Sequence, residues 1–217
     1  MPKSKVWIVK LGGSLARAPE LPQWLTVLAS SATTCVVVPG AGCFADPIKV
    51  SQRHWSYGDS CAHQMALLGM AQYGLLLHAI EPRLHLLHGL GDALATPRVT
   101  RSAIWLPELG DLTRMADLPA DWTVSADSIA LWLAEYLGAD ELRLIKSRAP
   151  LCSAHAASAL AAEQFLDTYF PILLPQTGVR VRWYAKTEVG EFVRNRVRRG
   201  SREIGRDAAM PGPRGAG

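Results

Sequence analysis

Short apolar runs rich in β-branched residues recur along this chain, and segments of helical spacing lie between them. Six such runs stand at residues 5–11 (KVWIVKL), 34–40 (TCVVVPG), 83–89 (RLHLLHG), 102–108 (SAIWLPE), 141–147 (ELRLIKS) and 178–185 (GVRVRWYA). Buried strands of a parallel sheet read this way, because both of their faces meet helices and neither alternates with polar residues. The intervening segments have the helical period. In residues 20–30, Leu21, Trp24, Leu25 and Leu28 share one face. Residues 60–79 predict a long helix capped by Ser60, with Met65, Leu68, Gln72 and Leu75 three or four apart. Residues 125–139 predict a capped helix stopped at Gly138, and 188–199 a very basic last helix. Strands alternating with helices predict an α/β fold: helices on both faces of a central, mostly parallel sheet.

With 217 residues, 49% of them hydrophobic and 19% charged, the chain has an ordinary globular composition. There is no internal repeat and no linker, which predicts a single domain over residues 1–206 with a disordered Pro/Gly-rich tail at 207–217. No apolar run reaches the ~18 residues of a membrane span. Four cysteines without CxxC or zinc spacing (Cys35, Cys43, Cys61, Cys152) suit a reduced, cytoplasmic protein with no metal centre of its own. The formal charge of +4 fits acidic or phosphorylated small molecules and does not require nucleic acid. Nine cations between Arg180 and Arg206 face three acids, Glu188, Glu191 and Glu203. A solvated face accounts for them, and no nucleic-acid motif accompanies them; a place near nucleotide phosphates is the alternative.

Two of the predicted strands end in glycine-rich loops, Lys10-Leu-Gly12-Gly13-Ser14 and Pro39-Gly40-Ala41-Gly42. Ligands of such sheets lie beyond the carboxyl ends of the strands. Glycines let bare amides approach phosphate oxygens, and a strand-end lysine adds a compact full charge. Each loop alone also reads as a tight turn. Neither is a P-loop or a GxGxxG fingerprint. A third piece, Ser125-Ala-Asp127-Ser, puts an acid at a helix start, where it also serves as a dipole partner.

In this order the three pieces resemble the amino acid kinase (carbamate kinase-like) superfamily over most of residues 5–206. The resemblance implies an ATP-dependent phosphotransferase that uses MgATP. It implies that Lys10 lies across donor and acceptor oxygens and that Asp127 orients it. Gly12, Gly13, Ser14 and Lys146 fall on the nucleotide side. Gly40, Ala41, Gly42, Asp59 and His63 fall on the acceptor side. Isopentenyl phosphate kinases carry a histidine just after the second loop, where this chain has Asp46. The stretches GAGCFAD (40–46), 54–74, 125–147 and 167–183 are similar instead to the kinases of methanofuran biosynthesis and their relatives in methylotrophic bacteria. Those kinases imply [5-(aminomethyl)furan-3-yl]methyl phosphate as the acceptor, which is converted to its diphosphate. An acid such as Asp59 near the acceptor suits a primary amine. His63 also reads as a structural histidine on an apolar helix.

The superfamily's TDVDG-like turn after the fifth strand is replaced by RAPLCSA (148–154), and its terminal VVNG…GT pattern is eroded. A second function therefore stands beside the kinase: a catalytically weakened relative that binds nucleotide or oxyanion as a regulatory or storage subunit. The superfamily's habit, and the greasy helix at 60–79, predict a homodimer or higher homo-oligomer.

Overall fold

The computed structural model describes residues 5–95, 102–151, 156–194 and 203–206. The expected tail and four arginines of the basic stretch (Arg196, Arg198, Arg199, Arg202) lie outside the described residues, as does Cys152. The six apolar runs form β1 (Val6–Leu11), β2 (Thr34–Pro39), β3 (His85–His88), β4 (Ala103–Leu106), β5 (Glu141–Lys146) and β6 (Arg180–Ala185). They make one sheet in the order β3-β4-β2-β1-β5-β6, and each neighbouring pair is parallel. β1 is the turning point. The chain builds β2 to β4 on one side of it and then β5 and β6 on the other, which opens a crevice at the carboxyl ends of β1, β2 and β5.

Eight helices are described: α1 (Leu21–Ala29), α2 (Asp46–Trp55), α3 (Asp59–Ile80), α4 (Gly89–Ala95), α5 (Ala126–Tyr136), α6 (Ala157–Ala162), α7 (Phe170–Leu173) and α8 (Val189–Arg194). One apolar core packs α1, α8 and the later turns of α3 against the sheet. The other packs α4, α5, α6 and α7 on the opposite face, joined by Leu67 and Met70 of α3. The helices are there because their apolar stripes match these faces. Leu21, Trp24, Leu25 and Leu28 of α1 are all buried, as their spacing predicts. The Trp24 indole N–H donates to the Lys186 carbonyl at 2.7 Å, so the ring is satisfied at its polar end as well.

The first glycine loop runs into a 3-10 turn, Gly13–Arg17, ahead of α1. Some expectations change. α3 starts at Asp59 with Gly58 as its N-cap, so Ser60 sits inside the first turn rather than capping it. The stripe that signalled this helix faces outwards. Met65, Leu68 and Leu75 are exposed, as are Leu76 and Ile80, while Ala62, Leu67, Met70, Tyr73 and Leu77 fill the cores. The helix is apolar on two faces, and spacing alone could not tell which one meets the sheet. α2 was not anticipated, because only Ile48 of its ten residues is buried. Pro47 in its first turn was the available signal.

The described part of the basic stretch is not one solvated face. Arg182 is buried beside Glu141 at 3.5 Å, Lys186 meets Glu20 at 3.5 Å, and Arg194 meets Glu191 at 3.0 Å. Arg206 donates to the carbonyls of Thr177 and Val179. Among the described residues no helix is long and apolar enough to cross a membrane.

Candidate active site

The two glycine loops leave β1 and β2 side by side and pack on each other through their backbones. A Cβ on Gly13 would stand 2.2 Å from the Gly42 Cα, and one on Gly42 would stand 2.5 Å from the Gly13 carbonyl oxygen. Gly42 also has φ +53°, in the left-handed region that disfavours other residues. The close approach is thus loop to loop as much as loop to ligand. The amides of Gly12 and Gly40 are already committed, to the Ile145 carbonyl at 3.1 Å and the Leu11 carbonyl at 2.9 Å. The expectation that the Gly12 amide holds a phosphate gives way for that reason: Gly12 shapes the wall, and the two loops offer amides beyond it.

Lys10 ends β1, Lys146 ends β5, and α5 brings Asp127 between them. The Lys10 ammonium lies 2.8 Å from Asp127 Oδ1, and the Lys146 ammonium lies 2.6 Å from Oδ2. Lys10 and Asp127 are buried, and the Lys146 side chain is 15% exposed. Burial would push the Asp127 carboxyl up, but the two ammonium groups outweigh it and hold it at about 2. Lys146 is lowered from the usual lysine value by burial, with the Lys10 charge adding to the effect against the pull of Asp127. Two cations thus share one carboxylate at the cavity, and the Asp167 carboxyl acts on Lys146 from farther off.

Asp127 is placed by the start of α5, which a second acid clamps. Ser125 caps the helix by accepting from the Asp127 amide at 3.2 Å. Asp167 accepts from the amides of Ser125, Ser128 and Phe170 and from both serine hydroxyls. Of the N–H groups at this helix end, those of Ser125 and Ser128 are thus engaged by the Asp167 carboxylate and that of Asp127 by the Ser125 hydroxyl. Burial, reinforced by the Asp127 charge, raises the Asp167 carboxyl above its usual value.

A cavity of about 390 Å³ opens over these groups. Lys10, Gly12, Gly13, Ser14, Gly40, Ala41, Gly42, His63 and Lys146 all line it, so most of the expected site residues come together. Asp127 lies behind its two lysines and is not part of the wall. Asp59 is not in the wall either. It accepts from the Gln52 amide at 2.8 Å, and the same Gln52 holds the indole N–H of Trp122 at 2.6 Å. Asp59 thus supports the rim instead of facing the cavity. His63 is buried in the wall, and that burial lowers its pKa, against a smaller opposing effect of Asp121, so it is neutral at pH 7.

Part of the wall is apolar, formed by Ala66, Leu67, Met70, Val124 and Ile129. Lys49 and Asp46 of α2 stand at its rim, and the Lys49 ammonium lies 4.8 Å from the Trp122 ring centroid. Lys49, Trp122, Gln164 and Asp167 were not picked out from the sequence. Each is an isolated side chain on a segment with no motif, and only the fold gathers them.

No protein-family model matches the chain, and no curated protein sequence matches it. Solved structures do. A uridylate kinase from Archaeoglobus fulgidus superposes with a TM-score of 0.66 at 14% identity, over 88% of this chain and 96% of that one. UMP kinase from Bacillus anthracis gives 0.64 at 13% identity, over 88% and 91%. UMP kinase from Ureaplasma parvum gives 0.60 at 10% identity, over 88% and 96%. The chain has the UMP kinase fold. This is the amino acid kinase fold that the three motifs predicted, and it carries the Lys10–Asp127–Lys146 cluster at the carboxyl ends of its central strands.

Proposed function

We propose that the protein is an ATP-dependent kinase that phosphorylates a small phosphomonoester. The observation that carries this reading is the pair of ammonium groups, Lys10 and Lys146, that line the cavity while sharing the single Asp127 carboxylate. Each lysine shares its partner and keeps donors free, and a phosphate group entering between Lys10 and Lys146 can accept charge-assisted hydrogen bonds from both. Phosphoryl transfer asks for little else than positioned charge. The bond from the γ-phosphorus of ATP to its bridging oxygen breaks, and an oxygen of the acceptor phosphate bonds to that phosphorus. The products are ADP and a diphosphate. Lys10, fixed by Asp127, faces the transferring group as charge moves onto the leaving oxygen. Lys146 and Ser14 serve the nucleotide, with the loop amides beyond Gly12. Mg²⁺ enters with the nucleotide as part of the substrate.

The acceptor lies towards Gly42, Ala41, His63 and the apolar part of the wall. Its size, and a polar rim that includes Asp46, suit [5-(aminomethyl)furan-3-yl]methyl phosphate, the acceptor implied by the resemblance to the methanofuran-biosynthesis kinases. UMP is the acceptor named for the structural neighbours and is the natural competitor in the test. The exposed stripe of α3 supports a homodimer in which two such stripes meet.

One observation favours the second reading, a nucleotide- or oxyanion-binding relative with weakened catalysis. The turn after β5 carries no acid. It is tied back instead by Arg148, which donates to the Glu163 carbonyl at 3.0 Å, and by Glu163, which accepts from the Leu151 amide at 2.9 Å. The test is turnover of MgATP with a panel of phosphomonoesters that includes the aminomethylfuran phosphate and UMP. Diphosphate formation on one of them supports the kinase. Binding of MgATP without turnover on any of them supports the second reading. Absence of MgATP binding by calorimetry refutes both as nucleotide-linked functions.

A further inference from the structure

α5 and α6 end in the same hydrogen-bonded motif. At α5 the Gly138 amide donates to the Glu135 carbonyl and the Ala139 amide to the Ala134 carbonyl, with Gly138 at φ +59°. At α6 the Gln164 amide donates to the Ala161 carbonyl and the Phe165 amide to the Leu160 carbonyl, with Gln164 at φ +58°. This left-handed position normally takes glycine, because a Cβ there crowds the following carbonyl. α5 obeys the rule and α6 breaks it, so the helix end itself does not explain the glutamine. The other described non-glycine residue at positive φ, Ser56 at the end of α2, is exposed like Gln164 but lies outside the cavity wall. Gln164 lines the same cavity as Lys146 and Ser147, and the ring of its neighbour Phe165 lies 5.1 Å from the Lys146 ammonium. Among the described residues its carboxamide has no hydrogen-bond partner. Strain kept at a cavity wall is the pattern of a side chain retained for what it touches.

We propose that Gln164 is a ligand-contacting residue, whose carboxamide N–H groups donate to the polyphosphate of the phosphoryl donor beside Lys146. This rests on the reading of the cavity as a phosphate site. It makes two effects of one substitution point in opposite directions. Gln164→Gly relieves the backbone and raises the melting temperature of the ligand-free protein by about 1–4 °C. The same substitution weakens binding of inorganic tripolyphosphate and of MgATP by about 10-fold, the scale of one hydrogen bond to a charged group. Gln164→Asn tolerates the backbone position but draws the amide back by one methylene, so its affinity falls between the two.

Calorimetric titration of the three proteins with both probes, alongside their melting temperatures, decides the matter. Higher stability with weaker binding in Gln164→Gly supports the proposal. Higher stability with wild-type affinity overturns it, and so does a fall in stability, which would remove the strain. If the wild type binds tripolyphosphate but not MgATP, the nucleotide reading fails while the tripolyphosphate ratio still decides the role of Gln164. If it binds neither, the phosphate site and this role fall together.

Discussion

Removing Asp127 and removing Lys10 should have opposite balances of stability and activity. The side chains of Lys10 and Asp127 are 9% and 5% exposed, and that of Lys146 is 15% exposed, so water cannot compensate a lost partner. Asp127→Asn strands two ammonium groups on a neutral amide. Breaking a buried pair in this way costs about 3–5 kcal/mol. At roughly 2–4 °C per kcal/mol for a chain of this size, a loss of about 3 kcal/mol lowers the melting temperature by about 6–12 °C. Lys10→Ala leaves Asp127 still held by Lys146 at 2.6 Å. The remaining carboxylate keeps a partner, so stability should fall by less than in Asp127→Asn. Turnover should nevertheless fall by roughly two to three orders of magnitude, the usual loss when a preorganised contact to developing charge is removed. KM for ATP should change much less, since Lys146 and the loop amides still hold the ground-state phosphates. Scanning calorimetry and steady-state kinetics on the two variants read both quantities. An Asp127→Asn protein that melts with the wild type, or a Lys10→Ala protein that turns over at the wild-type rate, would refute the charge argument.

Lys10→Arg should also lose most turnover, since a planar fork does not replace a point charge beside Asp127; wild-type kcat in that variant would count against a positional role. Asp127 has a folded pKa of about 2, below its ordinary 3.8, so its ion pairs stabilise the fold above about pH 4 and lose that effect as the pH falls towards 2. Urea unfolding from about pH 5 to about pH 3 should therefore cost the wild type about 1 kcal/mol more than Asp127→Asn, and equal slopes would contradict the assignment. Gly42→Ala should destabilise by about 2–4 kcal/mol, because its Cβ meets the Gly13 carbonyl in a left-handed backbone; denaturation with an unchanged midpoint would show that the loops do not pack as described. Light scattering should give at least a dimer, and glutamate at Leu68 and Leu75 should dissociate it; a monomeric wild type at micromolar concentration would remove the α3 interface.

Local chemistry wrote much of this fold into the sequence. β1, β2 and β5 are buried on both faces, so their apolar runs carry no competing pattern and read directly as parallel strands. α1 has one apolar face and meets one core, so its stripe is legible. α5 is marked at both ends, by Ser125 and Gly138. The pairing of Lys10 with Asp127 was legible only through the resemblance to kinases of this fold, because the two residues are far apart in the chain.

Tertiary structure decided the rest. α3 is apolar on two faces, so only packing could choose Leu67, Met70 and Tyr73 for the cores and leave Met65, Leu68 and Leu75 outside. α2 buries one residue, and its position over the cavity comes from the loops that precede it and not from its own pattern. The glycines illustrate the division most clearly. The sequence marks Gly13 and Gly42 as places where the backbone must come close to something. That the something is in part the other loop, 2.2 Å from where a Cβ would be, depends on β1 and β2 lying side by side. Asp59 looked like an acceptor contact but lies outside the cavity wall, while Gln164, which no motif marks, lies in it. A side chain's type is local, but the cavity it faces is set by strands that meet only after the chain has crossed the sheet.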